Sequence, residues 1–502
     1  MKQKLQLLMT LLLLFGGVSA AWAERDTSKP IYCPVNDGSY DNVRAAYDAI
    51  KDNAATELEI QIWGTRPTLG TAADSKITAI AGKTLSIVPK VSGIILTAGS
   101  HNRGNIWFLN NLDNATLNIG SSEYIMTIEG YGFNDNNTQL NAVCANEKKG
   151  VMNITKVTFQ KFRLGSEIKE SSSKYGYIYA NKVANTSNTE GYVTMTDVKI
   201  TNSYTSNDAF INSINTNNDA ICLKGSFTIE HKDSYTEPVF YLKGRIRLGD
   251  KSGESLYSGF SAPSVIGIKW DGSSSAIGTS VVVKAPKTAA ALFDLTDEDK
   301  GLAGNGTDLK LTQAYTLPVN SYGASTLVLP FESTIPTGAT CYTLNYTAGK
   351  ASVKATEVTT TLVANTPVLV NANEGSYKFV STATSGAAAT GSDPVTVGAL
   401  TGVYTSTDVP ADSYILWANE SNPVGFYKAN SSTVAANRAY LTADGAGGAR
   451  SLSIVFDDDI TAINSVRGDV VNDKRYYTLS GQQVAQPTKG LYIVNGKKVI
   501  IK

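Results

Sequence analysis

The sequence predicts an all-β protein whose larger part is a coil of stacked parallel strands. Three observations carry that prediction. Short apolar-alternating runs, each closed by turn residues, recur through the first half, most clearly between Val151 and Asp250 as VMNITKVTFQKF, YVTMTDVKITNS, ICLKGSFTIEH and VFYLKGRIRLGD. Hydrophobic residues make up 42% and charged residues only 18%, with 43 glycines and 25 tyrosines, a balance that favours strands and turns over helices. Finally, little amphipathic helix lies between the strands. A doubly wound sheet needs helical crossovers, whereas parallel strands joined by turns alone must coil.

The 502 residues accommodate two or three domains. Lys plus Arg and Asp plus Glu balance at 44 each, so the strong positive field that nucleic-acid binding requires is not expected. At the N-terminus, Lys2 and Lys4 precede an apolar run from Leu5 to Gly17, and Ala21-Trp22-Ala23 supplies a small–x–small cleavage pattern. Residues 1–23 therefore read as a secretory signal peptide. The run is short for a bilayer span and no later segment is long and apolar enough to cross, so no transmembrane segment is expected after signal removal. The chain is expected at the cell surface or secreted, and no cysteine after the cleavage point marks it as a lipoprotein. Export permits disulfides. Cys33, Cys144, Cys222 and Cys341 allow three pairings, and the readings are buried thiols or one structural bridge. The cysteines lack metal-ligand spacing and His101 and His231 lie far apart, so no metal site is assigned.

Asp41 to Ile50 reads as a short helix with Asp41 as N-cap and with Val43, Ala46, Tyr47 and Ile50 on one face. A strand follows from Leu58 to Trp63. Helix then strand at the head of a stack covers the open first rung, whose free backbone groups would otherwise template aggregation. Further strands are expected in Ile77–Pro89, Gly93–Thr97, Ile106–Leu109, Ala115–Ile119 and Ile125–Gly130.

The run IAGKTLSIVPK, with TIEGYGF and NITKVTF downstream, resembles right-handed β-helix proteins of the pectin-lyase-like class over roughly residues 30–290. That resemblance implies a right-handed parallel β-helix domain over residues 24–290. Uneven spacing between Phe159, Ile200 and Ile229 implies inserted loops such as Glu167 to Ala184. An antiparallel β-sandwich is the competing architecture.

Past Lys284 the texture changes, and Ala285 to Thr307 is weakly periodic, which places a boundary there. Residues 310–456 read as a β-sandwich-like region with an internal duplication. Ile335-Pro336, Tyr342–Leu344 and Ala364–Leu369 recur in order as Val409-Pro410, Tyr414–Leu416 and Ala436–Leu441. Asn365 and Asn437 occupy the same place in each copy, where a left-handed turn residue is expected to feed a buried strand. Residues 457–475 read as a linker. In the tail 476–502, Asn495-Gly496 between apolar runs signals a β-hairpin. Its LSGQQV, GLYIV and KKVIIK runs resemble the C-terminal sorting domain of the type IX secretion pathway, which implies that secretion machinery is a partner through this tail. The architecture of the two preceding domains likewise resembles surface proteins of bacteria that use that system.

For function, the sharpest local feature is Lys243, Arg245 and Arg247. Period-two alternation turns these three one way and Leu242, Ile246 and Leu248 the other, predicting a basic stripe on an outer wall. Lys161, Arg163 and Lys224 are expected on neighbouring rungs. Such a stripe suits the carboxylates of an acidic polysaccharide, with Arg giving two-pronged contacts. Tyr175, Tyr177 and Tyr179 alternate as a platform for sugar rings, and Trp63, Trp107, Trp270 and Trp417 are further stacking candidates. Solvated strand faces with ordinary salt bridges, and aromatics in the core, are the plainer readings of these residues. The expectation is a non-catalytic protein that binds glycan or extracellular matrix. One alternative is a polysaccharide lyase acting by β-elimination on a uronate, with Asp197, Asp208 and Asp219 holding calcium; otherwise no cofactor is assigned. Another is a purely structural surface protein. No catalytic residue is assigned: the carboxylates are not clustered as a glycoside hydrolase needs, and phosphate-loop, dinucleotide and nucleophile-elbow patterns are missing.

Overall fold

The computed structural model describes residues 25–70, 76–97, 106–130, 142–164, 178–180, 191–205, 211–213, 218–231, 240–242, 244–251, 253, 255–270, 277–305, 307–444, 448–456, 476–477, 483–484, 490–494 and 497–501. The signal peptide and the linker expected from the sequence lie outside them. Strand accounts for 55% of the chain and helix for 3%, so the protein is all-β. Among the described residues no helix is long and apolar enough to cross a membrane.

Alternation writes the first half. One run of parallel pairings links Glu57–Ile62, Thr84–Pro89, Thr116–Gly120, Val151–Thr155, Tyr192–Thr205, Asn218–His231, Arg245–Leu248 and Val281–Lys284 in succession. Their register lines up Leu58, Leu85, Leu117, Met152, Val193, Ile221, Ile246 and Val283 in one buried column. A second set runs through Ile94–Thr97, Met126–Glu129 and Val157–Gln160 into the later halves of Tyr192–Thr205 and Asn218–His231. A third joins Ile77–Thr78, Ile106–Asn110, Ala142–Asn146, Ile178–Ala180, Ile211–Ser213, Phe240–Leu242, Ile266–Trp270 and Phe293–Leu295, again all parallel. The three sets share one apolar core from Ile31 to Leu311. Alternate side chains of the strands fill it, and each buried Leu, Ile or Phe contributes about 1.5–3 kcal/mol.

Two devices turn the chain between sets. Lys156, Asp197 and Gly225 adopt left-handed φ of 51°, 53° and 64° on successive strands, each where the first set passes into the second. Asn110 and Asn146 close strands of the third set and are fully buried. Asn110 Nδ2 donates to the Ala115 and Val151 carbonyls at 3.0 Å each, and Asn146 Nδ2 donates to Gly150 O at 2.8 Å and Tyr192 O at 3.2 Å. Each amide thus bonds its own turn and the next one, tying successive turns together with buried hydrogen bonds.

The head of the stack is covered as expected, with a detail corrected. The helix Val43–Ile50 buries Val43, Ala46, Tyr47 and Ile50, but its N-cap is Asn42, whose side chain accepts from Ala45 N at 2.8 Å. Asp41 pairs instead with Lys29 at 2.6 Å. Ile31–Cys33 adds an antiparallel strand against Glu57–Ile62. At the far end the core extends beyond residue 290. The weakly periodic stretch holds a 3-10 turn, Lys287–Leu292, and the strand Phe293–Leu295, which pairs with Ile266–Trp270. Small residues pack this turn against the core, so low periodicity there does not mark an end. Asp308–Val319 then runs antiparallel to Val281–Lys284 and Lys300–Asn305, and continues along Gly375–Val380.

Beyond this strand the pairings repeat. Ala324–Leu327 pairs with Val368–Ala372, Ala339–Tyr346 with both Ser352–Val358 and Val368–Ala372, and Ser333–Thr334 with Thr361–Leu362. In the same order, Leu400–Val403 pairs with Arg438–Leu441, Tyr414–Asn419 with both Asn422–Lys428 and Arg438–Leu441, and Thr407–Asp408 with Thr433–Val434. Asn365 and Asn437 have left-handed φ of 57° and 59° and lead into buried strands. In the tail, Val494 pairs antiparallel with Lys497, and Tyr476–Tyr477 lies between Gln483–Val484 and Gly490–Val494; Asn495 and Gly496, the expected hairpin turn, lie outside the described residues.

Candidate functional site

Alternation places the basic wall as the sequence implies, but the wall is not an open cationic stripe. Leu242, Ile246 and Leu248 are buried in the core. Arg245 is held by Asp219, Nε to Oδ1 at 2.7 Å and Nη2 to Oδ2 at 2.8 Å. That hydrogen bond, above all, raises the guanidinium pKa, against the opposing effect of burial. Arg247 is only 4% exposed, which corrects the expectation of an open cation. The turn after its strand folds over it: Nε donates to Asp250 O at 2.8 Å and Nη2 to Gly253 O. Lys224 pairs with the Asp250 carboxylate at 3.1 Å. Lys161 lies away from these residues, on the second strand set, and bonds Glu129 at 3.0 Å. Lys243, Tyr175 and Tyr177 lie outside the described residues. Arg163 pairs by its backbone with Tyr204, and Tyr179 stands in register between Ala145 and Asn212; their side chains are outside the described residues.

The acids offered for calcium are engaged or undescribed. Asp197 Oδ1 accepts from Ser226 N at 2.8 Å, Asp219 holds Arg245, and Asp208 lies outside the described residues. Among the described residues no three His, Cys, Asp or Glu side chains gather as a metal would need. The four cysteines are free and buried. Burial pushes the thiols of Cys33, Cys222 and Cys341 up to about 12 and that of Cys144 up further, so at neutral pH they pack as small uncharged groups.

The tryptophans divide. Trp107 and Trp270 are core residues, and Trp63 is half-buried with the Arg25 guanidinium 4.5 Å above its ring. Trp417 is 51% exposed. It lies on Tyr414–Asn419 opposite Gly425, which has no side chain to pack on it. A register shift between Trp417 and Asn419 marks an irregularity that re-aims side chains.

Trp417 lines a groove of about 480 Å³. Tyr322, 43% exposed, lines it too, from a turn where Asn320 Oδ1 accepts from Tyr322 N at 3.1 Å and Gly323 takes a φ of 75°. Ser325, Thr326 and Arg438 line it as well. Its floor is pinned where Ala324–Leu327 meets Arg438–Leu441: Thr326 Oγ1 donates to Ala439 O at 3.0 Å and accepts from Ala439 N at 2.9 Å. Arg438 is half-buried and donates Nη1 to Thr326 O at 3.2 Å. Burial lowers its pKa, partly offset by Tyr315, and among the described residues no carboxylate pairs with it. A second hollow of about 210 Å³ shares Tyr322, Ala324 and Val424 and runs on to Ile454 and Phe456. Of these residues the sequence singles out Trp417 alone. An Asn-x-Tyr-Gly turn before one strand is the signal that would have marked Tyr322.

Comparison with known proteins finds no matching family model, no similar curated protein and no similar solved structure.

Proposed function

We propose that the protein is an exported, non-catalytic glycan-binding protein of the cell surface or extracellular space, and that glycan lies in the groove lined by Trp417 and Tyr322. On this reading the stacked parallel strands form a right-handed β-helix that serves as a rigid stem. The strands after residue 310 form a β-sandwich of two related units that carries the site, and the tail engages type IX secretion machinery. The observation that carries the proposal is that two exposed aromatic residues, Trp417 and Tyr322, line one groove. Aromatic faces stack on the apolar C–H faces of sugar rings, and nearby hydroxyl and amide groups then meet the sugar hydroxyls. On the stem wall, Arg245 and Lys224 are paired with acids and Arg247 is buried under its own turn, which leaves none of these three as the free neutralising group that a uronate lyase requires.

Affinity electrophoresis through gels containing single polysaccharides tests this reading. Retardation by at least one polysaccharide, lost on Trp417→Ala, with no unsaturated product and no new reducing ends, is expected. Product formation, or retardation that Trp417→Ala leaves intact, would contradict it.

A further inference from the structure

The groove differs from a neutral sugar platform in one respect. Arg438 lines it, half-buried, with a single protein acceptor for its five donors, Thr326 O, and no acid beside it among the described residues. Arg245, Arg247, Lys224 and Lys161 each have an acid or two carbonyls; Arg438 does not. The one acid tied to a groove residue, Asp408, accepts from Thr433 Oγ1 at 2.9 Å and makes no ion pair with Arg438. A half-buried guanidinium pays a desolvation cost that an anionic partner offsets, and its planar fork matches a carboxylate better than a hydroxyl.

We infer that the groove selects an acidic saccharide, with the carboxylate of a uronic acid on Arg438 and the adjoining ring on Trp417. This rests on the glycan-binding reading and adds the charge of the ligand to it. The geometry suits a chain of sugars. Trp417 and Arg438 line the larger hollow, and Tyr322 borders both hollows, so neighbouring rings fit on either side of it. The rim residues Asn320 and Ser325 are neutral donors and acceptors suited to ring hydroxyls. An acidic peptide would satisfy Arg438 but would not account for two exposed rings that border the space beside it.

The test uses the full chain and three uronate polymers, polygalacturonate, alginate and hyaluronan, each paired with its carboxyl-reduced derivative, which keeps the backbone but loses the charge. The expected result is that at least one acidic polymer binds on the order of tenfold more tightly than its reduced partner, and that Arg438→Gln removes this preference while weak binding to the reduced form persists. Ala435→Glu alters an exposed groove residue and adds a negative charge that competes for the guanidinium and repels a uronate carboxylate, so it should cut acidic-polymer binding without the folding risk of a half-buried site. Equal binding of acidic and reduced forms, or a preference that survives both substitutions, overturns the charge inference and leaves the glycan reading standing. Binding of no polymer, or binding of a poly-glutamate peptide in their place, overturns both.

Discussion

Arg245 grips Asp219 with both arms of its guanidinium, across two neighbouring strands of the stack. Asp219 sits at an irregularity between Asn218 and Ile221 with a left-handed φ of 64°, a conformation that costs a non-glycine residue of order 1–2 kcal/mol. The two-pronged pair fixes that backbone and neutralises a cation that sequence alternation alone presents as a ligand site.

Replacing Asp219 by Asn should therefore destabilise the stack by about 2 kcal/mol, because a partly buried guanidinium is left without its anion. Urea unfolding checks this. Arg245→Met should cost less than Asp219→Asn, and the double variant less than the sum of the two; additive losses would mean the pair is not coupled.

Gly225 marks the corner between two strand sets, with φ of 64°. A Cβ built there overlaps Asp197 Oδ1, which itself accepts from Ser226 N and Oγ at 2.8 and 3.2 Å. Gly225→Ala should lower stability by about 1–3 kcal/mol through left-handed strain and overlap together. Adding Asp197→Ala should recover the overlap part of that loss in thermal melts, and no recovery would assign the whole cost to the backbone.

Asn146 is fully buried and donates to carbonyls of two successive turns. Asn146→Ala should cost about 1–3 kcal/mol, through the loss of two buried side-chain hydrogen bonds that join successive turns. Asn146→Asp should cost more, since a carboxylate cannot donate to those carbonyls and adds a buried charge. Equal loss in the two variants would indicate that only volume matters there.

Glu129 bonds Lys161 at 3.0 Å, Arg66 at 3.1 Å and Gln160 Nε2 at 2.7 Å. Burial pushes its pKa up, but the bonds to Lys161 and Gln160 and the charges of Lys161 and Arg66 outweigh that and hold it below the ordinary 4.5. A carboxylate whose folded pKa is depressed stabilises the fold fully above its unfolded value, and that stabilisation is lost as pH falls through the folded one. Glu129→Gln should thus be less stable than the parent at neutral pH, with the gap closing only as pH falls below 4.5 and through the depressed folded value, where both side chains become neutral. A gap constant from neutral to acid pH would contradict this assignment.

Much of the fold was legible because strand alternation is a local property. Leu242, Ile246 and Leu248 point inward as their spacing implies, and the face of Val43–Ile50 that packs is the one the helical period selects. The fate of the charges was not legible, because Asp219 lies 26 residues before Arg245 and reaches it only through strand register. Nor could aromatic residue type separate Trp107 and Trp270, which fill the core, from Trp417, which opens to solvent opposite a glycine. The groove joins Tyr322, Trp417 and Arg438 from three strands or turns far apart in sequence, and its shape exists only once the repeated pairings are made. Asn110 and Asn146, each the last residue of an apolar strand, were a readable mark of the ladder at the turns.

Hydrogen–deuterium exchange of the full chain with and without saturating acidic polysaccharide tests the location of binding most directly. The account predicts protection in the segments 320–326, 414–419 and 433–439 that build the groove, with the stem strands unchanged. Protection centred instead on Asn218–His231 and Arg245–Leu248 would return the ligand to the stem wall and contradict the account.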